Sequence, residues 1–153
     1  MNPFAPPHAR VGDTRLSSSR WKAVAVGAAI ALGVAHAVLS LFGLGIYWIL
    51  TLQGVPPQQL YARANQWTEY VVFAHFVSFV CVMVGGYWSA RLSPEEPILT
   101  ALLAGCLLMA FLASGHLAPY DPPIPVWSRV ATLLVPVPAC VLGALCWQRT
   151  SER

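Results

Sequence analysis

Three of the chain's four histidines, His36, His75 and His116, lie within long apolar stretches, and no other side chains there have as wide a chemistry open to them. An imidazole can ligate a transition metal, shuttle a proton, or donate and accept hydrogen bonds between helices. Two imidazoles at matching depth on facing helices would hold a b-type haem, so His36, His75 and His116 are the candidate axial ligands. A metal on one rim is another expectation, with His75 or His116 joined by Glu69 or Asp121. The plainest expectation is that each imidazole hydrogen-bonds a neighbouring helix or interfacial water and that no cofactor is bound. Cys81, Cys106, Cys140 and Cys146 are all in apolar stretches, without CxxC pairing or flanking ligands, and read as reduced, buried small hydrophobes. Glu95 and Glu96 follow Ser93-Pro94. That order reads as a capping box, with Ser93 as the cap and Pro94 at the first helical position, rather than as a general acid–base pair. No nucleophile stands beside a base, and no glycine-rich phosphate loop occurs.

The elements that position these residues follow from composition. Of the 153 residues 57% are hydrophobic and 10% charged, whereas soluble domains carry about 25% charged residues. The apolar residues form four blocks, at about 23–50, 70–90, 98–118 and 130–147, each long enough to cross a bilayer as a helix. The predicted fold is therefore all-α: an integral membrane bundle of four transmembrane helices spanning residues 21–148. A basic, proline-containing arm (1–20) precedes it and a short tail (149–153) follows. Ala35-His36-Ala37 resembles a signal-peptide cleavage site, but the apolar run continues through Leu50, so retention is expected. No acidic or basic side chain other than histidine lies deep in any block.

Orientation follows from the basic residues. Arg10, Arg15, Arg20, Lys22, Arg91, Arg149 and Arg153 fall on one side of the predicted bundle, and only Arg63 and Arg129 on the other. The positive-inside rule then places both termini in the cytoplasm. Trp21, Trp88 and Trp147 mark the predicted inner boundary, and Trp48, Trp67 and Trp127 the outer one. After Pro56-Pro57, the spacing of Leu60, Ala64, Trp67 and Val71 predicts a short interfacial helix. Residues 119–125 are proline-rich and read as an extended outer loop.

Small residues at helical spacing mark the expected packing faces. These are Gly33, Ala37, Ser40 and Leu44 in the first span, and Ser78, Val82, Gly85 or Gly86, and Ser89 in the second. Thr132, Pro136, Ala139 and Gly143 form the corresponding face of the fourth span. The third span has a weaker face, Ala101 and Gly105. His36 falls beside the first face and His75 on the second. His75 and His116 are expected at depths about 5 Å apart. Pro136 and Pro138 should kink or loosen the fourth span.

Asn2-Pro3-Phe4-Ala5-Pro6-Pro7, followed by Ala9, Val11 and Asp13, resembles the opening of many small proteobacterial multi-pass inner-membrane proteins of unknown function. Phenylalanine stands at position 4, where tyrosine is more usual. The ending of the second span, Gly85-Gly86-Tyr87-Trp88-Ser89-Ala90-Arg91-Leu92, is similar to a Gly-Gly-Tyr-x-x-Ala-Arg ending in such proteins. The resemblance implies a bacterial inner-membrane protein with a cytoplasmic N-terminus, and brings no activity or catalytic residue with it. The expected function is non-enzymatic, acting by helix packing with a partner membrane protein or with itself in the lipid bilayer. The net charge of +3 comes from topology-setting arginines and is a poor basis for nucleic-acid binding. The alternative is a haem-bearing electron-transfer subunit. A small transporter or channel ranks last, because no inverted repeat is visible.

Overall fold

The computed structural model describes residues 14–116 and 125–151, with the backbone alone for 14–18 and for His116. All of its regular elements are helices: α1 (Thr14–Leu52), a 3-10 turn (Pro57–Gln59), α2 (Leu60–Gln66), α3 (Thr68–Leu92), α4 (Pro97–His116), α5 (Val126–Leu134) and α6 (Pro136–Ser151). Four spans are long and apolar enough to cross a membrane: Ser19–Leu52, Thr68–Leu92, Pro97–Gly115 and Val126–Ser151, the last formed by α5 and α6 together. They match the four predicted blocks. Large apolar side chains such as Leu41, Phe76 and Phe111 point outward, a surface that suits lipid and not water. The arm up to residue 13, with its Asn-Pro-Phe-Ala-Pro-Pro segment, lies outside the described residues, as do residues 117–124 and Arg153.

The predicted short helix after Pro56-Pro57 is α2, with Ala64 buried on its inner face and Trp67 linking it to α3. Arg20, Lys22, Arg91 and Arg149 gather at one end of the bundle, hereafter the basic end; Arg63 and Arg129 lie toward the other. At the basic end Arg20 pairs with Glu96, and the Arg91 guanidinium sits 4.8 Å from the centre of the Trp88 ring.

The capping expectation is corrected. Helix α4 begins at Pro97, three residues later than Ser93-Pro94 implied. Ser93 instead ends α3, and its carbonyl accepts from the Glu96 N–H at 3.2 Å in a tight turn. The carbonyl of Glu96 then receives the first bonds of α4, from the Thr100 N–H (3.0 Å) and the Thr100 hydroxyl (2.8 Å). A second proline, Pro97, preset for the first helical position, displaces the start.

The half of the bundle toward the basic end is dense. Its buried core is mostly small: Ala28 and Ala31 of α1, Ala90 of α3, Ala101 and Ala104 of α4, and Ala139, Cys140 and Ala144 of α6. Helix α3 is central and uses adjacent glycines on two sides. A methyl at Gly85 would lie 2.5 Å from the Gly27 carbonyl oxygen and 2.6 Å from Ala31 Cβ. One at Gly86 would run into the Cys140 backbone, and one at Gly143 into Met83 and Tyr87. Close backbone approach of this kind is how membrane helices gain packing without a hydrophobic drive. The predicted faces of the second and fourth spans are thus the ones used. The third is stronger than expected, with Ala101, Ala104, Gly105 and Leu108 all buried.

The predicted face of the first span is corrected. Gly33, Ala37, Ser40 and Leu44 point away from the bundle, and nothing lies within 4 Å of a methyl built on Gly33. Helix α1 instead packs through Ala23, Gly27 and Ala31. It therefore has two ridges of small residues at four-residue spacing, on opposite sides. One (Ala23, Gly27, Ala31, Ala35) meets the bundle. The other (Ala25, Ala29, Gly33, Ala37) is exposed along its length.

Candidate functional site

The half of the bundle away from the basic end opens around a cavity of about 440 Å³ lined by α1, α3, α4, α5 and Pro136. Its walls are mainly alanine, leucine and valine. Its polar side chains are His36, His75, Ser78 and Thr132. The structure thus brings two of the three candidate histidines to one space.

His75 is part-buried and fully engaged. Its Nδ1 lies 2.8 Å from the Val71 carbonyl oxygen one turn back. Its Nε2 lies 3.1 Å from the Ser128 carbonyl oxygen, 3.3 Å from Thr132 Oγ1 and 3.4 Å from Ser128 Oγ. The Thr132 hydroxyl donates to the Ser128 carbonyl at 2.9 Å, and the Trp127 ring lies 5.4 Å from the imidazole. A carbonyl only accepts, so Nδ1 carries a hydrogen toward Val71. In the neutral ring, Nε2 then accepts from the Ser128 hydroxyl, since the Thr132 hydrogen goes to the Ser128 carbonyl; in the cation it donates to the Ser128 carbonyl. Either state ties α3 to α5. The sequence placed His75 on the inward face of its helix, and the structure agrees. Nothing in the sequence alone pairs Ser128 and Thr132 with His75, although their four-residue spacing puts both on one helix face.

His36 lines the cavity from α1 and is exposed. Among the described residues it has no hydrogen-bonding partner, and neither does the Ser78 hydroxyl. His116 ends α4, and its side chain lies outside the described part. Asp121 lies outside it too. Among the described residues no three of His, Cys, Asp and Glu gather as a metal would require; His75 meets hydroxyls and carbonyls, not Glu69. Cys81 and Cys140 are buried free thiols, Cys106 is half-buried, and Cys146 is exposed, contrary to the expectation that all four are buried. Cys146 lies on an exposed side of α6, three residues before Arg149.

The fourth span is interrupted as its prolines predict. Pro136 and Pro138 cannot donate, so the carbonyls of Thr132 and Leu134 lose their helical partners. The helical course continues around them, through Val135 N–H to the Ala131 carbonyl (3.0 Å) and Ala139 N–H to the Val135 carbonyl (3.1 Å). Val135 keeps helical dihedrals. The break thus interrupts the hydrogen-bond ladder at the cavity wall, between α5 and α6.

No protein-family model matches the chain, and neither curated proteins nor solved structures provide a match.

Proposed function

We propose that this is a bacterial inner-membrane protein with cytoplasmic termini that catalyses no reaction and acts by assembling with a second copy of itself through α1. The observation that carries the proposal is the exposed ridge Ala25, Ala29, Gly33 and Ala37. The same small-residue spacing on the opposite side of α1 is what docks α3. Small residues four apart let two membrane helices approach closely, and an identical strip on a second copy provides a two-fold, self-complementary partner. The basic end supports the orientation, because positive residues favour the cytoplasmic side. The test is disulfide crosslinking in native membranes, at native expression, with Cys146 replaced by serine. Ala37→Cys should form a dimer on oxidation, Phe76→Cys should not, and Gly33→Leu should abolish the dimer. Absence of an Ala37→Cys dimer would sink the proposal.

A second reading is electron transfer on a haem b held by histidines. In its favour, His36 and His75 share a cavity. Against it, both ring nitrogens of His75 already meet protein partners. A Soret band in protein purified after expression with ample haem would decide for it.

A further inference from the structure

The cavity lies at a definable depth. Trp67 and Trp88 bracket most of α3, and the step of about 21 residues from one to the other spans about 32 Å of helix, close to the ~30 Å hydrocarbon thickness. Ser78 sits midway along that stretch. Helix α1 runs antiparallel to α3 in a register set at Ala31 beside Gly85 and at Phe42 against Phe73, ring centres 4.4 Å apart. Between those points His36 falls at the level of Phe79, one residue from Ser78. His36 and Ser78 therefore stand at the bilayer midplane, lining one cavity.

Neither has a hydrogen-bonding partner among the described residues. That is unusual for a membrane helix, where a hydroxyl ordinarily donates to the carbonyl one turn back, as Thr132 does here to Ser128. An unsatisfied polar group in hydrocarbon costs free energy, and two in one cavity point to a group from outside the chain. Phospholipid does not supply it: an acyl chain has no acceptor, and the ester carbonyls lie about 15 Å away, half the hydrocarbon thickness. A neutral molecule whose polar part resides in the membrane interior supplies such an acceptor. A cavity of about 440 Å³ is within the usual size for a ring-sized ligand. Exposed Phe111 and His36 flank its lipid side, where a tail can leave.

We infer that this cavity binds the head ring of a lipid-soluble quinone, with a ring carbonyl accepting from His36 and Ser78. Neutral His36 carries one N–H and one bare nitrogen, so it also accepts from the hydroxyl of the reduced ring. His75 does not touch the ligand; it holds α5 against α3 and so shapes the wall. The inference goes beyond the assembly proposed above and does not depend on it, because the cavity lies within one chain.

The test is titration of the full chain in dodecyl maltoside with decylubiquinone, read by tryptophan fluorescence quenching; Trp127 stands beside His75. Saturable quenching at one ring per chain is expected, with affinity falling roughly fivefold in His36→Leu and again in Ser78→Ala, the loss of one hydrogen bond each. Ala35→Phe should fill the cavity and remove the saturable component. If it fails to fold, the two polar variants decide. Linear, unsaturable quenching identical in all variants would overturn the inference. So would decylbenzene competing as well as decylubiquinone, since it fills the same space without a carbonyl, and so would a Soret band showing haem in the purified protein.

Discussion

One of the closest backbone contacts among the described residues makes a sharp prediction. Gly86 of α3 meets the backbone of Cys140 in α6, and a methyl there would lie 2.5 Å from Cys140 Cα and 2.7 Å from its carbonyl carbon. Non-bonded carbons rest about 3.5–4.0 Å apart, so Gly86→Ala forces the two helices apart by roughly 1 Å. The obstacle is backbone, and no rotamer change relieves it. The same separation loosens Gly143 against Met83 and Tyr87, one turn further along. Overpacking a dense core costs about 1–3 kcal/mol, and the upper part of that range is expected here, a roughly 30- to 150-fold shift in the unfolding equilibrium. Gly33→Ala is the control, because it meets open space and gains helix propensity of up to about 1 kcal/mol. Both are measured by dodecyl sulfate titration of the protein in mild detergent, following tryptophan fluorescence. If Gly86→Ala unfolded within about 0.5 kcal/mol of the parent, or Gly33→Ala were equally damaging, the packing argument would be refuted.

Three further outcomes are expected. His75→Ala should cost about 1–3 kcal/mol in the same titration, because it leaves the hydroxyl cluster of Ser128 and Thr132 without its partner on α3; recovery in His75→Gln would show that the hydrogen bonds, and not the ring volume, are responsible. Pro136→Ala returns a donor to the Thr132 carbonyl, so the amide gained at position 136 should be protected in hydrogen exchange; rapid exchange there would mean the break has another cause. Single cysteines at Gln66 and Gln148, in a background without the native four, should label from opposite sides of intact cells, Gln66→Cys from outside; the reverse pattern would invert the proposed orientation.

Much of the fold was legible because lipid imposes a coarse rule. Each span needs about 20 apolar residues, and four blocks met it. The arginine distribution adds a proposed orientation to them. Harder to read was which side of a helix faces its neighbours. In a soluble helix the apolar side answers that, but here both sides are apolar. On α1 small residues recur at four-residue spacing along two opposite ridges, and the face through Gly33 and Ala37 was read as the inner one. The choice falls to Gly27 because its level matches Gly85 and Ser89 of α3, a register that exists only after the helices pair. Ser93-Pro94 failed for a related reason, since two prolines competed to start α4 and the local pattern of the first was complete on its own.

The candidate site shows the same division between local and relational information. His75 could be placed inward because its helix has one glycine-rich side. What it bonds to depends on the parallel pairing of α3 with the last span, across more than 50 residues of sequence. His36 is the converse case. Its helix has two sides of small residues, and its place beside Ser78 in one cavity emerges only once α1 pairs with α3. A bundle built only to pack has no need of polar groups there, and leucine at position 36 would fill the wall better. The dense half of the molecule does follow that rule, with alanine and glycine at nearly every contact. The open half departs from it at His36 and Ser78, in a cavity that Pro136 also lines. Close packing at one end suits the proposed assembly, whereas His36 and Ser78 around a cavity at the other are needed only by the proposed quinone site.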